Sequence, residues 1–189
     1  MPRFRFLFPS DYFQPKQADA DYLEQFQCLH SIGYSTSVIC LENLGSESAQ
    51  IYPAPEPGEI LIYRGWMLAP SDYSSLVAAV DLAGAQMWIS PAEYVATHYL
   101  PNWYPLISDL TPETHCFDAD NNLERELTKL GWNSFFIKDY VKSLKTSIGS
   151  IIRHPSEIHA VVTEMQKFRG SIEESSLTIA SFAASSATS

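Results

Sequence analysis

Short apolar runs alternate with segments of helical spacing through the first hundred residues of the chain. Apolar runs bounded by turn residues predict buried strands, and apolar residues three or four positions apart predict helices that pack on one side. This alternation of strands and helices favours an α/β layered domain with a largely parallel sheet. The predicted strands cover residues 3–8, 35–41, 59–63 and 86–89, and the predicted helices cover residues 18–32 and 73–82, followed by a helix that Ser90 caps.

The second part of the chain has a different pattern, which begins near residue 111. Leu123, Leu127 and Leu130 fall on one helical face, and Gly131 ends that helix. The proline-flanked aromatic segment 101–105 predicts a turn that packs rather than binds. The predicted strands here are residues 113–117, 132–141 and 150–153, and the predicted helices are residues 120–130 and 155–170.

The last residues of the chain differ in composition from the rest. From Ser175 onward there is no charged residue, and serine, threonine and alanine dominate. Such a composition rarely forms a packed element by itself. The sequence therefore predicts three segments: an α/β domain over residues 1–110, a second lobe over residues 111–173, and a disordered tail over residues 174–189.

Composition narrows the class of protein. The 189 residues are 46% hydrophobic and carry a formal net charge of -10, so a buried core is expected and general nucleic-acid binding is not. No apolar run approaches the roughly 18 residues of a membrane span. The three cysteines form no CxxC pair, which argues against a disulfide framework and a structural zinc site. We expect a cytoplasmic protein without membrane contact.

The basic strand at residues 135–143 is the strongest candidate for chemistry. Lys138 and Lys142 share one face of this strand, about 13 Å apart, and can grip different phosphates of one nucleotide. The next residues offer a hydroxyl at Ser143 and a further cation at Lys145, as in loops that close over phosphates. The alternative is an exposed sheet edge that the lysines protect from pairing with other chains.

Arg64 is the candidate for binding an acid. It follows a predicted buried strand and precedes Gly65, which places it at the carboxyl end of that strand, where ligands of parallel sheets gather. Its guanidinium suits carboxylate or phosphate, and the alternative is a surface salt bridge. The sequence gives weaker support for a metal site. The acidic and amide residues at 118–122 are better explained as helix caps, and His154 and His159 lack zinc-ligand spacing.

Residues 62–66 and 136–143 together resemble a clade of ATP-grasp proteins that is defined by one arginine and two lysines. The arginine corresponds to Arg64 and the lysines to Lys138 and Lys142. The resemblance extends over about residues 3–173, with weaker matches at residues 90–94, 98–104 and 167–170.

The resemblance implies an N-terminal Rossmann-like, pre-ATP-grasp domain followed by an ATP-grasp α+β lobe that binds ATP with Mg²⁺. It also implies an amide-forming ligase that activates an unknown carboxylate as an acyl phosphate. Lys138, Lys142, Ser143 and Lys145 would then hold ATP phosphates, and Arg64 would orient the acid or the transferred phosphoryl group.

One departure from the family weakens the prediction of activity. ATP-grasp proteins supply acidic and asparagine ligands for Mg²⁺ after the helix that here ends at Gly170, and only about 19 residues follow it. The sequence therefore predicts a truncated ATP-grasp protein with an incomplete catalytic lobe, whose uncovered sheet would favour homo-oligomers. Two alternatives remain: a non-catalytic α/β module that binds protein, and an unrelated Rossmann-like binding module.

Overall fold

A computed structural model of the chain describes residues 3–46, 49–118, 122–132, 134–139, 151–169 and 176–181. Of residues 118, 138, 139, 165–169 and 176–181, only the backbone is described. The chain divides into two compact units, Met1–Val95 and Ala96–Ser189, whereas the sequence placed a boundary after residue 110. The domain limits proposed from the sequence stay a prediction.

The first unit is a five-stranded sheet with helices on both faces. The strands lie in the order β3-β2-β1-β4-β5, and all neighbours are parallel except β2 and β3. The elements are β1 (Phe4–Pro9), α1 (Leu23–Ser31), β2 (Ser35–Ile39), β3 (Ile51–Tyr52), β4 (Ile60–Tyr63), α2 (Pro70–Leu82), β5 (Gln86–Met87) and α3 (Pro91–His98), which runs into the second unit. The predicted α/β fold class is confirmed.

Alternate side chains of the strands pack on opposite layers. Leu7 faces the layer that contains α2, where it joins a core with Ile39 and Leu61. Phe8 faces the other layer and packs with Val38 and with the apolar side of α1. Both faces of β1 are therefore buried, which explains why its sequence is nearly continuously apolar rather than alternating.

The second unit contains a four-stranded sheet of the order β6-β9-β7-β8, in which all paired neighbours are antiparallel. Leu127, Phe135 and Ile152 are almost fully buried and form its core with residues of the last helix. The elements are α4 (Leu100–Ile107), β6 (Thr114–Asp118), α5 (Leu123–Leu130), β7 (Phe135–Asp139), β8 (Ile151–Ile152), α6 (Ile158–Arg169) and β9 (Ser176–Ser181).

The prediction of a disordered tail is wrong for residues 176–181. These residues form β9, which lies between β6 and β7 and pairs with both strands. Leu177 and Ile179 alternate with small residues, and this period of two marks a strand even where charge is lacking. The remaining residues of the predicted tail lie outside the described part of the chain.

One further prediction is corrected. The aromatic segment 101–105 lies within α4 and not in a turn, because Pro101 stands in the first helical turn, where its missing N–H costs no hydrogen bond. Residues 51–52, for which the sequence predicted no element, form the short edge strand β3. Within the described residues, no helix has the length and apolar character needed to cross a bilayer.

Candidate functional site

Arg64 lies at the point where the winding direction of the first sheet reverses. From β1 the chain passes through α1 to β2 on one side, while β4 continues through α2 to β5 on the other side. The carboxyl ends of β1 and β4 are therefore adjacent but lead to opposite faces, and this crevice is where open parallel sheets bind ligands. The backbone N–H of Arg64 donates to Leu7 O at 2.8 Å, which fixes Arg64 at this edge.

The turn that carries Arg64 is held by Tyr63 and Gly65. The Tyr63 hydroxyl donates to Trp66 O at 3.0 Å and so bridges the turn. A Cβ on residue 65 would stand 2.5 Å from Tyr63 Cζ and 2.7 Å from Pro9 Cγ, so only glycine fits. Burial, with smaller contributions from three neighbouring tyrosines, raises the pKa of Tyr63, and its hydroxyl therefore keeps the proton that it donates.

The guanidinium of Arg64 is exposed and its described partner is neutral. Arg64 Nη2 donates to Gln25 Oε1 on α1 at 3.1 Å. The ion pairs between described residues involve Arg3, Arg5, His115 and Lys129, and not Arg64. The surface salt bridge that was the alternative for Arg64 is thus not formed within the described part of the chain, and its charge is available to an anion.

Tyr22 and Trp66 form an aromatic pair beside Arg64. Their rings meet edge to face with centroids 5.1 Å apart, and Tyr22 also packs against Phe8 at 6.5 Å. Burial raises the pKa of Tyr22, the carboxylates of Asp19 and Asp21 raise it further, and the charge of Arg64 acts in the opposite direction. The phenol of Tyr22 therefore lies within electrostatic reach of the guanidinium of Arg64.

Ser10 follows β1 at the same edge of the sheet and has a buried, unsatisfied hydroxyl. Its backbone N–H donates to Ile39 O at 2.9 Å, but Ser10 Oγ has no hydrogen-bond partner among the described residues, although only 6% of the residue is exposed. Buried polar atoms in native proteins almost always have a partner. A water molecule or a ligand atom is therefore expected at Ser10 Oγ.

We call Ser10, Tyr22, Gln25, Arg64 and Trp66 the carboxyl-edge site. The sequence identified Arg64 and placed Trp66 in the same motif, but it did not connect Ser10, Tyr22 or Gln25 with them. The five residues come from three segments of the chain. The available signal was position, because Ser10 and the segment 64–66 directly follow strands of a parallel sheet. Tyr22 and Gln25 belong to the start of α1 and its preceding turn, where the sequence indicated only an apolar helical face.

The predicted phosphate-binding residues belong to the second unit. Lys138 lies on β7, where its backbone stands opposite Thr178 of β9. The side chain of Lys138 lies outside the described part of the structure, as do Lys142, Ser143 and Lys145 entirely. Their role in binding phosphate stays a prediction.

The described residues contain no group of three or more histidine, cysteine, aspartate or glutamate side chains that could hold a metal ion. Asn122 accepts a hydrogen bond from Arg125 N at 3.2 Å, which confirms its interpretation as a helix cap. Asp120 and Asn121 lie outside the described residues.

Several solved structures are similar to the whole described chain. D-cycloserine synthetase DcsG has a TM-score of 0.58 at 8% identity and is matched over 95% of this chain and 59% of its own. D-alanine–D-alanine ligase from Coxiella burnetii has a TM-score of 0.56 at 10% identity over 96% and 64%. ATP-grasp ligase PsnB, complexed with a phosphomimetic variant of a minimal precursor, Mg and ADP, has a TM-score of 0.52 at 11% identity over 96% and 66%.

These likenesses define the class of the chain: it has an ATP-grasp fold. No family model matches the chain, and no curated protein is similar enough in sequence to count as a relative. The chain spans 59% to 66% of the length of the three structures above.

Proposed function

We propose that the protein binds ATP and belongs to the carboxylate–amine ligases of the ATP-grasp type. The observation that carries this proposal is the position of Arg64, an unpaired cation among the described residues, at the switch point of a sheet in a chain with an ATP-grasp fold. The resemblance of residues 62–66 and 136–143 to the clade with one arginine and two lysines supports the same reading.

Arg64 would bind the carboxylate substrate. One guanidinium can donate two parallel hydrogen bonds to a carboxylate, and such charge-assisted pairs are stronger than neutral ones. The neutral Gln25 is a partner that an incoming acid can displace or share without having to compete with another carboxylate.

Lys138 and Lys142 would neutralise the phosphates of ATP, with Ser143 and Lys145 closing around them. Phosphoryl transfer requires chiefly that charge be neutralised and that the reacting groups be positioned. The strand that carries Lys138 is paired on both sides, with β9 and β8, so its backbone would provide a rigid support for this role.

The proposed reaction has two steps. A carboxylate oxygen attacks the γ-phosphorus of ATP, the bond to the β-phosphate oxygen breaks, and an acyl phosphate and ADP form. An amine then attacks the acyl carbon, phosphate leaves, and the amine releases a proton as the amide forms. ADP formation that depends on both an acid and an amine would contradict our prediction that the catalytic lobe is incomplete.

Calorimetric titration of the full chain with ATP tests nucleotide binding. We expect Lys138→Ala to weaken binding by at least about tenfold, since a charged hydrogen bond contributes roughly 1.5–3 kcal/mol. Lys129→Ala is the matched control, because Lys129 is an exposed lysine of the same unit that pairs with Glu126 at 2.7 Å. Equal affinities for the two variants, or no binding of ATP to the unaltered chain, would refute the proposal.

A further inference from the structure

Trp66 presents an apolar surface next to Arg64, which forms no ion pair with another described residue. The tryptophan is 47% exposed although it is held in place by the edge of Tyr22 and by the Tyr63 bond to its carbonyl. The following Met67 is 42% exposed. An exposed tryptophan suits ligand binding, because its ring offers a large apolar face that can pack against an apolar group.

The turn that joins these residues is closely packed. A Cβ at residue 65 would clash with Tyr63 and Pro9, and the Tyr63 hydroxyl donates to Trp66 O at 3.0 Å, so the segment between Arg64 and Trp66 is tied to the sheet. A rigid site binds with less loss of conformational entropy than a mobile one. The guanidinium and the indole therefore form a preformed pair of recognition elements, one for charge and one for apolar surface.

The charges near this pair favour a singly charged anion. Tyr22 lies within reach of one arginine and two aspartates, so the edge is not strongly positive. Asp19 is occupied by the backbone N–H of Asp21 at 2.9 Å, but its charge remains. A triphosphate would be repelled by these carboxylates more strongly than a monocarboxylate would, which separates this edge from the predicted ATP site.

We propose that the carboxyl-edge site binds a monocarboxylate that carries an aromatic or large apolar group. The carboxylate pairs with Arg64, and the apolar group packs on the exposed face of Trp66. The inference rests on the proposed function in one respect only, namely that this acid is the substrate of the ligase. The unsatisfied hydroxyl of Ser10 at the same sheet edge is an independent sign that a group outside the described residues binds there.

The test is a ligand-observed NMR titration of the full chain, without nucleotide, with three probes: 3-phenylpropanoate, propanoate and 3-phenylpropan-1-ol. We expect 3-phenylpropanoate to bind about tenfold more tightly than propanoate, from ring packing and burial of the phenyl group. We expect it to bind about tenfold more tightly than the alcohol, from the charged hydrogen bond to Arg64.

Two variants and one control identify the residues. Trp66→Ala should remove the preference for the phenyl group, and Arg64→Met should remove the preference for the carboxylate over the alcohol. Trp88→Ala is the matched control, because Trp88 is 55% exposed and packs edge to face on Phe4, at the start of β1, whereas Arg64 follows the end of β4. The control should bind all three probes as the unaltered chain does.

The outcomes separate this inference from the proposed function. Equal affinities for 3-phenylpropanoate and propanoate, or the same effect of Trp66→Ala and Trp88→Ala, would overturn the inference even if ATP binds. A preference for 3-phenylpropanoate that depends on Trp66 and Arg64, in a chain that does not bind ATP, would support the inference and refute the ligase.

Discussion

A buried ion pair joins the central strand of the first sheet to the segment that precedes β4. Arg5 Nε donates to Glu59 Oε2 at 2.7 Å, and the two side chains are 11% and 4% exposed. Both side chains make further hydrogen bonds. Arg5 Nη1 donates to Ser37 Oγ at 3.0 Å and to Thr36 O at 3.3 Å, and Glu59 Oε2 also accepts from the Glu56 N–H at 2.8 Å. A pair of this kind can be tested for its stabilising effect.

Glu59→Gln removes the negative charge and keeps the size of the side chain. The guanidinium of Arg5 then stays buried without a counter-ion, and breaking a buried pair in this way costs about 3–5 kcal/mol. The chain provides a matched control, because Arg3 and Glu56 form an ion pair between the same two segments with side chains that are 62% and 60% exposed. Glu56→Gln should cost less than about 1 kcal/mol, as exposed pairs do.

The difference between the two variants should depend on pH in a defined direction. Burial by itself would raise the pKa of Glu59, but the hydrogen bonds from Arg5 and the Glu56 N–H, with the charges of Arg5 and Arg3, lower it below the usual range. A lowered pKa stabilises the folded state fully above the pKa of the unfolded chain, about 4.3, and the effect is lost as the pH falls through the folded value. The cost of Glu59→Gln should therefore be constant near neutral pH and should shrink in acid.

Urea unfolding followed by circular dichroism measures these free energies. We expect Glu59→Gln to lower the unfolding free energy at pH 7 by about 3 kcal/mol, and Glu56→Gln by a few tenths. The double variant Arg5→Met/Glu59→Leu should recover much of the loss, because it removes both buried charges. A Glu59→Gln cost within about 1 kcal/mol of the control, or a cost that grows in acid, would refute the reasoning.

Three further predictions concern packing and pairing. Gly65→Ala should lower stability by about 1–3 kcal/mol in urea unfolding, because the new methyl group displaces Tyr63, and an unchanged unfolding curve would contradict this. Tyr94→Phe should lower the free energy of unfolding by about 1–3 kcal/mol in the same assay, since the Tyr94 hydroxyl accepts from Leu68 N at 2.8 Å and donates to Leu68 O at 3.0 Å. An unchanged free energy of unfolding would argue against both hydrogen bonds. Ile179→Pro should disrupt the second sheet, at a cost of about 3 kcal/mol or more, because β9 is paired on both sides; Ile179→Val is the control, and equal stability of the two variants would exclude a central β9.

The first sheet could be predicted from the sequence because each of its main strands contains a short apolar run, at residues 6–9 in β1, 38–39 in β2 and 60–63 in β4. Leu7 and Phe8 are both fully buried, on opposite faces, and such runs occur where helices cover both sides of a sheet. The helix cap at Ser90 could also be predicted from the sequence. The Ser90 N–H donates to Glu93 Oε2 at 2.9 Å, and the Glu93 N–H donates to Ser90 Oγ at 3.3 Å, which is the pattern of a capping box. The edge strand β3 was not predicted, because a strand of two residues is too short to show an alternation of apolar and polar positions.

The second sheet was harder to predict because composition and pattern disagreed there. The uncharged composition after Ser175 indicated disorder, while Leu177 and Ile179 followed the period of a strand. A strand that pairs on both sides does not need charged residues to prevent pairing with other chains, since its backbone groups are already hydrogen-bonded to its neighbours. In such a case the spacing of the apolar residues predicts structure better than composition does. The spacing indicates which face of a segment can be buried, whereas composition gives only the average polarity of the segment.

The residues of the carboxyl-edge site could not be grouped from the pattern of residues along the sequence. Ser10, Tyr22 and Trp66 follow no common motif, and only the crossing of the chain from one side of β1 to the other brings their segments to one edge. Arg64 could be singled out because it directly follows a strand, but its two interpretations, salt bridge or ligand, differ only in which side chains surround it. The neutral Gln25 and the exposed Trp66 favour the ligand interpretation, because a cation that contacts an amide and lies near an exposed indole can pair with an anion that carries apolar surface.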